Sequence, residues 1–167
     1  MAPETKRPRA SKPPDALDAY RTKRNSRSTP EPMGGHPATR NGPPRFVIQE
    51  HHARSLHWDL RLERDGVLAS WALPKGLPET PDQNHLAVHT EDHPLEYAAF
   101  EGEIPKGEYG GGRMTIWDKG SYSVEKWTDR EVKFVLHGSK TSGSYVLFQT
   151  KDRNWICLLY TSPSPRD

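Results

Sequence analysis

The chain of 167 residues contains a single cysteine, Cys157, which excludes an intrachain disulfide framework. It has no run of 18 apolar residues and no apolar core of a secretory signal at its N-terminus, so the expectation is a soluble cytoplasmic protein with no membrane partner. Hydrophobic residues are also scarce, at 32% with a mean hydropathy of −0.92. With 16 prolines and 13 glycines beside them, this composition implies that an unfolded portion dilutes a folded one. The dilution lies at the front: residues 1–45 hold nine of the prolines and ten Lys/Arg against four Asp/Glu. That local charge of +6 leaves −4 for residues 46–167, because the whole chain carries +2. A basic arm on a slightly acidic body follows, and the length allows one domain of ordinary size.

Within the arm, residues 16–24 can form two turns of helix with Leu17, Tyr20 and Arg24 on one side. Residues 25–44 are rich in Pro, Gly and Ser, the composition of a flexible lead-in that can touch phosphates. From Arg45 the pattern changes to short apolar runs at 46–48, 56–64, 67–73, 86–89, 114–117, 122–125, 132–136 and 145–149. Their spacing predicts an all-β fold, a compact antiparallel barrel over 46–156 preceded by a short helix and the arm. Asp65-Gly66 predicts a two-residue type I′ hairpin, and Asp118-Lys119-Gly120 a second hairpin. Residues 157–167 neither continue a strand pattern nor read as a natural terminus. Back-translated, they resemble a transposase adapter used in sequencing libraries, so the expectation is a non-native tail, with the native chain running on beyond this fragment.

Chemistry concentrates in residues 49–63. On a strand alternate side chains face opposite ways, so Leu56, Trp58, Leu60 and Leu62 share one face and His57, Asp59 and Arg61 the other. With a two-residue turn at Asp65-Gly66, Arg64 pairs with Val67 and Asp59 lies opposite Ala72, leaving room above the carboxylate. His57 and Asp59, ~6–7 Å apart along the strand, can converge on one cation. His51 has the same parity and precedes the break Ala53-Arg54-Ser55, so it can supply a third ligand, giving a two-histidine, one-carboxylate site with open positions. Arg61 is placed to fork onto a phosphate held there. The competing reading is that His51 and His52 cap a loop and His57–Arg61 is an exposed strand face.

Further along, Ala87, His89, Glu91 and His93 share a face by parity, and His93 is extended because proline follows it. His93 and Tyr97 at this bend could donate to an oxyanion or simply stitch a loop. Gly107–Gly112 is not a nucleotide loop: no Gly-Lys-Ser/Thr follows and no βαβ unit surrounds it, so a tight bend or bulge is expected. A Gly-x-Ser-x-Gly elbow and a usable cysteine nucleophile are both missing.

Residues 45–62, Ser70-Trp71-Ala72-Leu73-Pro74-Lys75-Gly76, Glu91–Tyr97, Phe100-Glu101-Gly102 and Ile104–Gly110 together closely resemble the 3′-phosphoesterase domain of bacterial DNA ligase D, in family order and spacing from about Leu17 to Ile156. The resemblance implies a manganese-dependent barrel enzyme of end-joining repair. Such an enzyme removes a terminal ribonucleoside and then the 3′-phosphate from primer-template DNA ends. It implies His51, His57 and Asp59 as Mn2+ ligands, Arg61 and His93 as phosphate and transition-state contacts, and Gln49, Lys75, Glu91 and Tyr97 as supporting positions; on electrostatic grounds a protonated His93 would stabilise charge building on the phosphoryl oxygens. Arg24 and Glu31 match residues that assist on ribonucleoside ends. Asn25 stands where the family usually has Asp, and His85 where an Arg can occur. The implied partners are ligase and polymerase domains in cis or trans, and Ku, with the chain itself a monomer near the nucleoid during repair. The alternative is a non-catalytic module that binds DNA ends or recruits ligase and Ku.

Overall fold

A computed structural model of the chain describes residues 17–24, 29–33 and 42–160. A short helix, α1 (Asp18–Thr22), precedes nine strands: β1 (Arg45–His52), β2 (Leu56–Arg64), β3 (Val67–Leu73), β4 (Asn84–Pro94), β5 (Gly102–Ile104), β6 (Gly112–Trp127), β7 (Glu131–Gly138), β8 (Ser142–Lys151) and β9 (Asn154–Tyr160). A 3-10 helix, Leu95–Ala99, links β4 to β5. The sheet runs β1-β2-β3-β4-β9-β8-β7-β6-β5, and β1 also pairs with β6. Eight antiparallel strands therefore close a barrel, with β5 added along the start of β6.

The closure follows from alternation. Phe46, Ile48, Leu60, Leu62, Trp71, Phe134, Leu136, Leu147 and Trp155 come from strands all round the sheet and form one buried cluster, which must be the interior. The β2–β3 hairpin has the expected register, with Arg64 opposite Val67 and Asp59 opposite Ala72. Its turn puts Asp65 at φ 52° and Gly66 at φ 82°, the two left-handed positions a type I′ turn requires.

Asp118-Lys119-Gly120, by contrast, does not turn: β6 runs straight through it, bonded to β1 and then to β7. Gly120 and Asp118 serve other ends. A Cβ at Gly120 would lie 2.1 Å from the His137 carbonyl oxygen, so only glycine lets β6 and β7 approach there. The Asp118 carboxylate accepts from the backbone N–H of Lys119, Ser139, Lys140 and Thr141 and from the Thr141 hydroxyl, at 2.7–3.0 Å, and so closes the β7–β8 turn. These bonds hold its pKa below the ordinary carboxylate value against desolvation. Asp118→Ala is expected to cost about 2–3 kcal/mol in urea unfolding. Because the folded pKa is depressed, this contribution is full above about pH 4 and lost as pH falls through the folded value, a decline the variant will not show.

Two expectations at the chain's ends need correction. Residues 17–24 and 29–33 are not a free arm: Leu17, Tyr20, Thr29 and Glu31 are buried, and Tyr20 packs with Leu68, Tyr97, Ile104 and Met114 in a second cluster. Leu17 and Tyr20, three residues apart, bury one face of this segment, and the ion pairs of Lys23 and Arg24 with Glu91 tie it to β4. At the other end, residues 157–160 do continue a strand, since β9 reaches Tyr160 and pairs with both β4 and β8. Backbone ladders accept any non-proline residue, and Cys157 fits the interior. That residues 157–167 are adapter-derived stands as a proposal, and codons differing from the adapter string would refute it. Among the described residues no helix is long and apolar enough to cross a membrane.

Candidate active site

Because interior and exterior alternate along β2, the face opposite Leu60 and Leu62 carries His57, Asp59 and Arg61 on the outside of the barrel wall. β1 lies alongside with Gln49 opposite Asp59 and His51 opposite His57. Five polar side chains from two neighbouring strands thus meet on one patch. His51 Nδ1 lies 3.1 Å from His57 Nε2 and 3.7 Å from an Asp59 oxygen, and His57 Nε2 lies 3.3 Å from the other Asp59 oxygen.

The tautomers follow from the outer partners. His51 Nε2–H donates to the Gly110 carbonyl at 2.7 Å and His57 Nδ1–H to the Ser55 carbonyl at 3.2 Å. In the neutral rings, the two converging nitrogens are then both lone pairs, beside an anionic oxygen. Such an arrangement calls for a cation. Donors ~2.1 Å from one ion stand ~3.0–3.4 Å apart in octahedral or tetrahedral geometry, close to the observed separations. His51, His57 and Asp59 therefore fit a divalent metal of nitrogen-and-oxygen preference. Burial alone would raise the Asp59 pKa, but the charge of Arg61, joined by His51 and His57 when their rings are protonated and can donate, holds it well below the carboxylate range. Burial lowers the His57 pKa, and its contacts with Asp59 outweigh that and raise it.

Arg61 is buried and locked. Its Nε donates to Gln49 Oε1 at 2.6 Å, its terminal nitrogen reaches Asp59 at 3.4 Å, and its plane lies 4.7 Å from the Tyr97 ring centre. Gln49 is itself fixed, donating to the Tyr97 and Phe100 carbonyls. A guanidinium held this way costs little ordering when it meets an anion.

The docked N-terminal segment forms the far wall of a cavity of about 280 Å³ over this patch. Arg24 bonds Glu31 at 3.0 Å and Glu91 at 3.2 Å, approaches His93 Nε2 at 3.4 Å and lies 3.9 Å over the Tyr20 ring. Tyr97 donates its hydroxyl to Glu31, and burial raises its pKa far above that of a free tyrosine. Lys23 adds a 2.9 Å bond to Glu91.

β4 departs from simple parity. Ser70 pairs with Thr90 and Leu68 with His93, so a bulge at Glu91-Asp92 shifts the phase. His89 consequently faces the interior, stacked 5.0 Å from Trp71, whereas Glu91 and His93 face the cavity. His93 also differs from the expected cation. Burial first, then the charges of Arg61 and Arg24, push its pKa well below the usual histidine value. Its Nδ1–H donates to the Glu91 carbonyl, which leaves Nε2 as an acceptor toward Arg24.

Of the sequence-predicted residues, Arg24, Glu31, His51, His57, Asp59, Arg61, Glu91, His93 and Tyr97 line this cavity, and Gln49 stands behind it. Lys75 and His85 do not. Lys75 lines a different cavity at the barrel mouth, and His85 bonds the Gly76 carbonyl. Asn25 lies outside the described residues. Sequence reasoning missed Lys23, Tyr109 and the Gly110 carbonyl. The glycine-rich loop is indeed a tight bend, and the signal within it was the positive φ of Gly107, Gly110 and Gly112 that aims this carbonyl at His51.

The structure is thus a small all-β barrel whose outer wall sets a cluster able to hold a cation beside a fixed guanidinium. A family model described as the DNA Ligase D 3′-phosphoesterase domain matches residues 49–149, and the chain belongs to that family. It is 56% identical over 154 residues to the multifunctional non-homologous end joining protein LigD of Mycolicibacterium smegmatis, covering 85% of this chain and 20% of that protein. It is 54% identical over 147 residues to LigD of Mycobacterium tuberculosis H37Rv (85% and 19%) and 45% identical over 150 residues to LigD of Pseudomonas aeruginosa PAO1 (86% and 18%). The chain spans about a fifth of the length of these relatives.

Proposed function

We propose that this chain is a divalent-metal-dependent phosphoesterase, with Mn2+ as the ion, that heals DNA 3′ ends. It removes a 3′-terminal ribonucleoside and then the 3′-phosphate of a primer-template, leaving a 3′-hydroxyl for ligation in non-homologous end joining. The observation that carries this reading is the convergence of two imidazole lone pairs and a carboxylate beside a preorganised arginine. When bound, the metal would supply Lewis acidity toward a phosphoryl oxygen and toward water. His51, His57 and Asp59 would hold it, with Gly110 and Ser55 fixing the imidazoles.

Arg61 meets the phosphoryl oxygens as negative charge builds on them, a preorganised donor that needs no reorganisation during the reaction. Gln49 keeps its Nε side occupied, so the terminal nitrogens are those offered to substrate. Neutral His93 acts through Nε2 as an acceptor, and Arg24, held by Glu31 and Glu91, is the second cation at the cavity. Arg24 and Glu31 would serve the ribonucleoside end, with Tyr97 fixing Glu31. Lys75 and His85, outside the cavity, would act on DNA approaching from the barrel mouth. The net-negative body means that DNA is gripped locally and not by a whole-molecule field. Ligase and polymerase domains, in cis or trans, and Ku are the proposed partners of a monomeric, nucleoid-associated unit.

The test is a primer-template ending in one 3′-ribonucleotide. A 3′-phosphate intermediate should appear first and a 3′-hydroxyl later, and EDTA should stop both steps until excess Mn2+ is restored. Unchanged ends, with intact binding, would instead support the non-catalytic end-binding module.

A further inference from the structure

A second cavity, of about 430 Å³, opens at the barrel mouth and is lined by Trp58, Trp117, Tyr145, Leu159, Lys75 and Lys140. It shares β2 with the metal cluster: Trp58 stands between His57 and Asp59 in sequence and points to the opposite side of the wall. The two openings thus lie on opposite sides of one strand, β2. Trp58 and Trp117 are partly buried against the core and so are held rigidly. A Cβ at Gly76 would touch the Trp58 ring at 3.5 Å, so backbone covers part of that indole.

The rim is cationic. Lys75 and Lys140 are exposed, and Lys140 Nζ sits 4.9 Å from the Trp117 ring centre. Neither lysine has an ion-pair partner among the described residues. Glu79 is the carboxylate lining this cavity, and the nearby Asp118 carboxylate is already occupied by the β7–β8 turn. Flat aromatic faces beside unpaired ammonium groups match a base with its phosphate, and stacking of this kind tolerates any base.

We propose that the barrel mouth is a second nucleic-acid subsite that takes an unpaired nucleotide of single-stranded DNA, its base against Trp117 and Trp58 and its phosphate on Lys140 and Lys75. The proposal rests on the reading of the chain as an enzyme of DNA ends. It gives the two lysines and the indoles a role in choosing ends that carry a single-stranded extension.

The experiment uses the full chain with a 3′-phosphate primer-template whose single-stranded extension carries 5-iododeoxyuridine. Irradiation is expected to cross-link Trp58 or Trp117, identified by mass spectrometry. Lys140→Glu, at an exposed position, is expected to raise the Kd for the extended primer-template about fivefold at low salt while leaving blunt duplex binding, thermal melting and hydrolysis of a small phosphate diester unchanged. Cross-links confined to the rim of the metal cavity at Tyr109, an unchanged Kd, or saturation of these rings by AMP in place of the strand would overturn the proposal. So would occupation of the mouth by residues that follow Tyr160. Cross-linking at these rings by a chain that releases no phosphate would sink the phosphoesterase reading and leave this one standing; phosphate release without such cross-links would do the reverse.

Discussion

Asp59→Ala is expected to reduce release of phosphate from a 3′-phosphate primer-template by at least ~10³-fold, equivalent to about 4 kcal/mol of transition-state stabilisation. His57→Ala should behave alike. Both substitutions remove a donor that faces His51 at ligand distance, and Asp59 also anchors the terminal nitrogen of Arg61. Loss of the carboxylate therefore removes a cation ligand and loosens the anion-binding group together. Asp59→Asn keeps the volume and one oxygen, so it separates the charge from the shape. It should remain as inactive as alanine if metal binding is the role of the residue, while restoring most of the melting temperature lost by Asp59→Ala. The check is single-turnover phosphate release with melting curves on the same samples. Metal-dependent turnover surviving in Asp59→Ala would remove the assignment of the cluster.

The second large effect concerns the N-terminal segment. Read as a solvated arm, residues 1–45 would on deletion weaken primer-template binding more than hydrolysis of a small phosphate ester. The packing changes that expectation. Deletion would strip Arg24 and Glu31 from the cavity, leave Glu91 without Lys23 and Arg24, and expose Leu68, Ile104 and Met114 beneath Tyr20. Hydrolysis of a small phosphate diester should fall along with primer-template binding, by more than ~10-fold. Arg24→Ala isolates the electrostatic part. It leaves Glu31, whose side chain is 1% exposed, without its charge partner, and a cost of about 3–5 kcal/mol is expected in denaturant unfolding. A deletion variant that hydrolyses the small ester at the full rate would show that the segment is an accessory after all.

These contrasts show which parts of the molecule local sequence determines. The β2–β3 hairpin was legible because Asp65-Gly66 fixes a turn whose register then fixes every pair above it, and His57, Asp59 and Arg61 follow by alternation. His51 was legible by parity, although its ring is aimed by Gly110, a partner 59 residues away that no local pattern reveals. The phase of β4 was not legible, because a bulge at Glu91-Asp92 carries no residue signature and reverses the side on which His89 lies. Asp118-Lys119-Gly120 misled for the opposite reason: a turn-like triplet was selected by a close strand approach and by the β7–β8 turn it caps. The N-terminal segment was hidden by averaging. Pro-rich flanks mask the few side chains that dock it, and the bond from Arg24 to Glu31 is seen only once the segment folds back.

The central claim is that His51, His57 and Asp59 form a metal centre on which DNA 3′-phosphate hydrolysis depends. Titrating Mn2+ into the metal-stripped chain, with bound ion followed by electron paramagnetic resonance and phosphate release measured on the same samples, tests it most directly. One ion per chain is expected, with activity rising in step with occupancy and both lost in Asp59→Ala. Full activity in EDTA, or an unaltered Mn2+ isotherm in Asp59→Ala, would contradict the account.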